Sequence, residues 1–358
     1  MARGLAAAGD EVHVFAREAA EGSPAEVHRL DVPRGWQPRR VLAFSRAAAR
    51  AAPRGAYDAV QSFSRTRHQD VFRAGGGSHA DYLDRSFRGL SRQLRRLSPR
   101  HRVLLGIERA VFADPTQWIL CNSAMVAREI GARYGPLGRR CRIIPNGVDL
   151  ERFHPEQRER ARRALQIDGT ATIWLFVGHG FRRKGLDTAL RALHLSRDGT
   201  SELWVAGGDA VERWRRRAAV LGLASRVRFL GPRDDTPQLY AAADALILPT
   251  RYDAFANVTL EASASGCFAV TSRQNGAAEW FGDACAAVEN AEDAEAFARW
   301  LDRLGDPAER TRLGEAARRR AEDASWPRHI SALRALYAEG APDARAGAPD
   351  IPGTRNGG

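Results

Sequence analysis

Long apolar runs are missing from this chain of 358 residues. No stretch reaches the roughly 18 uninterrupted apolar residues that a membrane-spanning helix needs. The opening MARGLAAAGDEVHVFAR carries charge too early and too often for a secretory signal peptide. Cysteine is scarce: Cys121, Cys141, Cys267 and Cys285 lie far apart, with no C-x-x-C and no metal-ligand spacing. That points to reduced thiols in a cytoplasmic setting, with no structural zinc. There is no G-x-G-x-x-G with a later ribose-binding acid, which leaves a nicotinamide oxidoreductase without support. No Ser-His-Asp elbow stands out. Nor is there a helix-turn-helix, finger or RNA-binding aromatic motif, so nucleic acid is not the expected partner. What remains is ordinary globular composition, 44% hydrophobic and 27% charged, over a length that suits two domains.

Lysine is almost absent too. Lys184 is the one lysine among 55 cationic residues. Charge is also unevenly spread. Residues 1–150 hold 25 cationic against 14 acidic residues, an excess of 11, whereas the remainder holds 30 against 29. The stretch 85–107 carries seven arginines (Arg85, Arg88, Arg92, Arg95, Arg96, Arg100, Arg102) and a single leucine ladder, Leu90, Leu94 and Leu97, spaced by four and three. This spacing predicts a basic amphipathic helix, with a second beginning after Ser98-Pro99. Such a surface suits an anionic lipid or a phosphorylated acceptor; a solvated, arginine-rich helix is the plainer alternative.

From about residue 170 the chain alternates short apolar runs with amphipathic segments. Strands are predicted at 172–177, 203–206, 226–230, 245–248 and 267–271, with helices at 186–193, 210–221, 237–242 and 258–265. Apolar strands without polar alternation, separated by helices, imply a parallel sheet covered on both faces, hence a doubly wound α/β domain. The first part repeats this less clearly, with strands at 11–15, 59–63 and 118–121. Residues 2–8 look like the end of a first helix, so the strand and glycine-bearing turn that open such a domain are missing. A translation start upstream of Met1 is the favoured explanation; a fragment with a compromised first domain is the other. Ile144-Pro145-Asn146-Gly147 marks the boundary. The domains are read as 1–143 and 144–322, followed by a terminal helix at 323–340 and a loose Pro/Gly/Ala-rich tail at 341–358.

Two segments carry chemistry. The first, Val177-Gly178-His179-Gly180-Phe181-Arg182-Arg183-Lys184-Gly185, joins a buried strand to a helix, at the sheet edge where such folds bind ligands. Gly178 and Gly180 let backbone approach a phosphate, and the adjacent cations Arg183 and Lys184 neutralise a pyrophosphate. A lone lysine must lie somewhere by chance, but here it is a compact point charge at the likeliest phosphate turn. The second, Tyr252-Asp253-Ala254-Phe255-Ala256-Asn257-Val258-Thr259-Leu260-Glu261, runs from a loop into a helix whose first N–H groups suit sugar or phosphate oxygens. Asp253 and Glu261 can address different parts of one ligand, or can simply complement the helix dipole.

Together these residues resemble the family 4 glycosyltransferases of GT-B architecture: two doubly wound Rossmann-like domains facing across a cleft, here with the first lacking its opening strand. The lipopolysaccharide core glucosyltransferases are the branch it is most similar to. The marks are Ile144-Pro145-Asn146-Gly147-Val148-Asp149, Phe153-His154-Pro155, the 178–185 turn, Tyr240-Ala241-Ala242-Ala243-Asp244, and Asp253-x7-Glu261 with Ala262 and Gly266. Stretches 69–79 and 107–112 suggest the core-sugar branch less diagnostically.

The resemblance implies a retaining, metal-independent transfer of a hexose, glucose from UDP-glucose, to a lipid-linked or phosphorylated saccharide such as lipopolysaccharide core. No cofactor is implied beyond the UDP-sugar donor. Arg183, Lys184 and Asp253 carry the catalytic roles, Asp253 standing where relatives have glutamate. Gly178, Gly180, Ala254, Phe255, Ala256 and Asn257 hold diphosphate and sugar, Glu261 the ribose, and Arg233 flanks the base. His79, after a glycine-rich loop, is the acceptor-side candidate, although a lone histidine is as readily a packed residue. Asn122-Ser123 reads as a turn. The terminal helix is implied to cross back to the first domain. The implied location is the cytoplasmic membrane's inner face, held there peripherally through anionic lipid. The alternatives are a catalytically impaired nucleotide-sugar-binding protein or a family 4 transferase for another donor and acceptor.

Overall fold

The structure is a computed structural model that describes residues 1–18, 25–87, 89–168 and 171–340. Seven of its strands were legible as apolar runs or close to them. These are β1 (His13–Ala16), β3 (Gln61–Ser62), β5 (Trp118–Cys121), β7 (Ile173–Val177), β8 (Glu202–Ala206), β9 (Val227–Gly231) and β10 (Ala245–Leu248), each within two residues of its expected start and end. β11 (Phe268–Ser272) is an eighth, beginning and ending one residue later than expected. The other four are β2 (Glu26–Arg29), β4 (Val71–Arg73), β6 (Cys141–Ile143) and β12 (Ala286–Val288). These were not foreseen from the sequence. β2 and β6 mix charged or polar side chains with apolar ones and contain no fully buried residue, so no apolar run marks them.

The second half is one six-stranded parallel sheet in the order β12-β11-β10-β7-β8-β9. Every residue of β7, β10 and β11 is buried, as expected of strands with helices on both faces. Strand order reverses between β7 and β10. The turn after β7 and the loop after β10 therefore open onto the same crevice at the carboxyl ends of the strands.

The first half splits into two parallel sheets, β1-β2 and β3-β4-β5-β6. No ladder joins β1 to β3 among the described residues. Helix Ala2–Ala7 leads directly into this half. The basic segment forms helix Gly89–Leu97, then helix Pro99–Ala113, which starts at Ser98 with proline in its first turn. Arg88 and the tail at 341–358 lie outside the described residues.

Helix Trp326–Gly340 packs on first-half residues: Ile330, Leu333 and Leu336 form a buried cluster with Leu5, Val71, Leu120 and Ile144. A second cluster mixes the halves differently. Tyr252 and Ala254 from the loop after β10 sit among Phe72, Phe112, Ile119 and Val126 of the first half.

Candidate active site

The turn after β7 is shaped by glycine. Gly180 has φ +71° and Gly185 φ +83°, conformations L side chains rarely adopt. A Cβ on Gly185 would stand 1.9 Å from the carbonyl oxygen of Pro249. Between them Phe181–Lys184 makes a single helical turn. Phe181 is buried in the core and its N–H donates to Asp209 at 2.7 Å, so the turn is anchored at its first residue. The loop after β10 is laced to this turn: the Arg251 N–H donates to the Arg183 carbonyl at 2.8 Å.

Lacing brings the expected charges together. The Lys184 ammonium forms a short ion pair with the Asp253 carboxylate. Arg183 donates to the Tyr252 carbonyl at 2.8 Å and lies 3.4 Å from the same Asp253 oxygen. The stem of Lys184 passes beneath Gly178, where an added Cβ would stand 3.3 Å from the lysine Cγ. The lysine is 7% exposed. An ammonium held this way is already desolvated and aimed, which is the arrangement that stabilises developing negative charge most effectively.

Helix Asn257–Ala264 follows, with no side-chain cap; the Thr259 N–H donates to the Ala256 carbonyl at 2.9 Å, and the N–H groups of Asn257 and Val258 before it are placed to suit a ligand. Ala254, Phe255 and Ala256 are buried. The Phe255 ring belongs to the second-half core beside Trp280, which leaves only its backbone to serve the site. The Ala256 N–H is already taken by the Asn275 side chain at 3.1 Å. Glu261 sits inside the helix and accepts from the Tyr240 hydroxyl at 3.0 Å. Burial pushes its carboxyl above the usual carboxylate range, against the pull of that hydroxyl and of Arg152 and Lys184. Burial likewise pushes the Tyr240 hydroxyl well up.

Two expected residues stand apart. Arg233 turns onto Asp235, its Nε donating at 2.7 Å, rather than joining the Arg183–Lys184 group. The His79 ring is 8% exposed and packs against His101, with His79 Nε2 and His101 Nδ1 2.9 Å apart. Burial, then Arg65, lowers its pKa to about 3, so it is a neutral packed ring. The local reason is Glu108, a buried carboxylate that accepts from the His79 and Ala80 N–H groups and the Tyr134 hydroxyl. It caps helix His79–Ser86 and pulls the histidine inward.

Several contacts between the halves could not be read from residue type or spacing. Ser123, read as a turn residue, donates across the cleft to the Ala254 carbonyl at 2.8 Å. Arg73 on β4 donates to the Asn146 side chain at 2.8 Å, and Asn146 donates to Asn257 at 2.6 Å, a relay from first half to helix start. Tyr252 lies against the glycine loop: a Cβ on Gly77 would stand 2.0 Å from its hydroxyl, which donates to Glu129 at 3.2 Å. These residues pair across more than 70 positions, and only the folded chain juxtaposes them.

A pair of parallel α/β halves, with cations and an acid at the switch-point crevice of the second, defines a two-domain α/β protein whose charged group lies where such folds bind ligands. Residues 1–152 match the family described as Glycosyltransferase Family 4, and residues 157–320 match the one described as Glycosyl transferases group 1. The chain is 32% identical over 266 residues to the D-inositol 3-phosphate glycosyltransferase of Salinispora tropica, covering 68% of this chain and 55% of that protein. It is 30% identical over 236 residues to the lipopolysaccharide glucosyltransferase WaaG of Escherichia coli K12, covering 63% of this chain and 62% of that one. It thus matches only somewhat over half the length of these curated relatives. Among solved structures, a WaaG crystal structure superposes with TM-score 0.80 at 25% identity, covering 94% of this chain and 93% of the other. The chain belongs to the family 4 glycosyltransferases, with the GT-B arrangement of two Rossmann-like domains.

Proposed function

We propose that the protein is a glycosyltransferase that moves a hexose, glucose from UDP-glucose, to a lipid-linked saccharide with retention of anomeric configuration and without a metal. The observation that carries this reading is the Arg183–Lys184–Asp253 group at the switch-point crevice, beside an uncapped helix start. When the glycosidic bond to the diphosphate breaks, negative charge grows on the departing β-phosphate. Arg183 and Lys184 neutralise it from positions already fixed, so little reorganisation is needed. Asp253 aligns Lys184 before the donor arrives and then accepts from a hydroxyl of the hexose. N–H groups at the start of helix Asn257–Ala264 hold the diphosphate and sugar, with Gly178 and Gly180 allowing close approach. Glu261 accepts from the ribose hydroxyls and Arg233 flanks the base.

On the acceptor side, helix Gly89–Leu97 presents Leu90, Leu94 and Leu97 to solvent, with Arg92, Arg95 and Arg96 alongside and none of its residues buried. No helix among the described residues is long and apolar enough to cross a membrane. This helix is read as the peripheral contact with anionic lipid, setting the cleft beside a lipid-linked acceptor at the inner face of the cytoplasmic membrane. The relatives named for D-inositol 3-phosphate favour a second acceptor, a phosphorylated polyol. Purified protein incubated with labelled UDP-glucose and either extracted lipid-linked saccharide or inositol phosphate separates the two. Label in the lipid fraction, as the α-glucoside, is expected; label on neither acceptor refutes the transfer.

A further inference from the structure

The sequence shows no metal-ligand spacing, yet folding assembles one cluster that has it. In the parallel β1–β2 ladder His13 stands opposite Glu26, and Phe15 opposite His28. Side chains alternate faces along a strand, so His28 lies on the same face as Glu26, two positions on. His13, Glu26 and His28 consequently converge. His13 Nδ1 is 2.9 Å from His28 Nε2, and the Glu26 carboxylate oxygens lie 3.5 Å from each of those nitrogens. Among the described residues this is the one group of three or more His, Cys, Asp or Glu with all its ligand atoms within 4.8 Å of one another.

From these distances we infer that His13, Glu26 and His28 bind a zinc-type divalent cation. Two ligands of a tetrahedral zinc stand about 3.3 Å apart when the bonds are about 2.0–2.1 Å long. The three separations here bracket that value, so a cation needs only a small swing of the rings to sit between them. Two imidazoles and a carboxylate are the donor set that borderline first-row cations take, with one position left for water. The second ring nitrogen of His13 is already placed as a metal-bound histidine requires. Its Nε2 lies 3.0 Å from the Glu11 carboxylate, which holds Nε2 as the N–H and turns the Nδ1 lone pair toward the cluster.

The charges agree with this assignment. The first 150 residues carry 25 arginines, yet among the described residues Glu11 and Glu26 pair with imidazoles and with no arginine. Aromatic walls limit how the rings can turn. Phe15 stacks on His28 with centroids 4.6 Å apart, and Tyr57 leans on His13 at 5.1 Å. His13 and Glu26 open their strands, at the end of the ladder opposite the carboxyl edge where the cleft lies. The cation therefore fastens the two-stranded sheet, whose partners are few, and takes no part in sugar transfer.

The test uses full-length protein stripped with a chelator, titrated with Zn²⁺ by calorimetry and with Co²⁺ by visible absorption. One equivalent of zinc is expected, with a cobalt spectrum of tetrahedral type lacking the strong thiolate band that the four cysteines would give. H13Q and H28Q should abolish stoichiometric uptake while circular dichroism stays native. E26Q should weaken binding at least 100-fold, and E11Q about 10–100-fold through the lost outer carboxylate. Wild-type protein that takes up no stoichiometric zinc, or uptake that survives in the H13Q/H28Q protein, overturns the site. Binding untouched in E11Q overturns the orienting role of Glu11.

Discussion

At the scale of single residues, the proposed activity rests on how Lys184 is held. Its ammonium is buried against Asp253 and its stem is fixed under Gly178. Lys184→Ala removes that charge while Arg183 stays within reach of Asp253. Losing one such preorganised group costs about 10²–10³-fold in kcat. Turnover of the variant should fall by that factor with KM for the donor rising less, measured as initial rates of UDP release. A variant with wild-type turnover would remove Lys184 from the chemistry. The residue was legible in the sequence because a lysine in an otherwise all-arginine chain stands out, and glycines flanked it. Glu108 and Ser123 were not legible. Each acts through a partner 28 or more positions away, and neither type nor spacing announces that.

Elements were read in proportion to their apolar content. β7 and β10 are wholly buried and declared themselves as unbroken apolar runs, and with them the crevice that houses the site. β2, with glutamate, histidine and arginine in four residues, resembled a loop, so its pairing with β1 went unseen. The arginine helix was foreseen from its leucine spacing, and folding does not bury that face. Leu90 is 70% exposed, Leu94 61% and Leu97 68%. Three exposed leucines flanked by Arg92, Arg95 and Arg96 suit partition into an anionic interface, where each cation is worth about 1 kcal/mol. Reversing those three arginines to glutamate should lower binding to vesicles containing anionic lipid by at least 100-fold in a flotation assay. Transfer to a soluble acceptor should be unaffected. Undiminished flotation would make the helix a solvated surface only.

For the whole molecule, the junction between halves carries a titration. His329, on the helix that returns to the first half, places Nδ1 2.6 Å from the Pro145 carbonyl. Burial lowers its pKa to about 4, outweighing that carbonyl, with Arg73 and the chain's amino terminus adding to the fall. His79 is lowered to about 3. Both rings are neutral in the fold, whereas an unfolded chain protonates imidazole near its ordinary value of about 6.5. Below that pH the unfolded state binds more protons, so stability is full at neutrality. It declines as pH falls from about 6.5 toward the folded values, each ring contributing at most ~1.4 kcal/mol per pH unit. Urea midpoints measured from pH 7.5 to 5 should drop on acidification, and less steeply in the H79Q/H329Q protein. An equal slope in both would assign the loss elsewhere. The two-domain plan was readable from alternating strands and helices. The way the halves interlock was not, because it depends on Tyr252 against Gly77 and on the Arg73–Asn146–Asn257 relay, which no local pattern encodes.

A chain with one lysine has one side-chain amine for acylating reagents to find, and here that amine is buried against Asp253 at the crevice. Besides the amino terminus, no other amine competes for the reagent. The protein thus carries a built-in reporter: the extent of covalent tagging at a single peptide would register occupancy of the crevice directly, without any engineered probe.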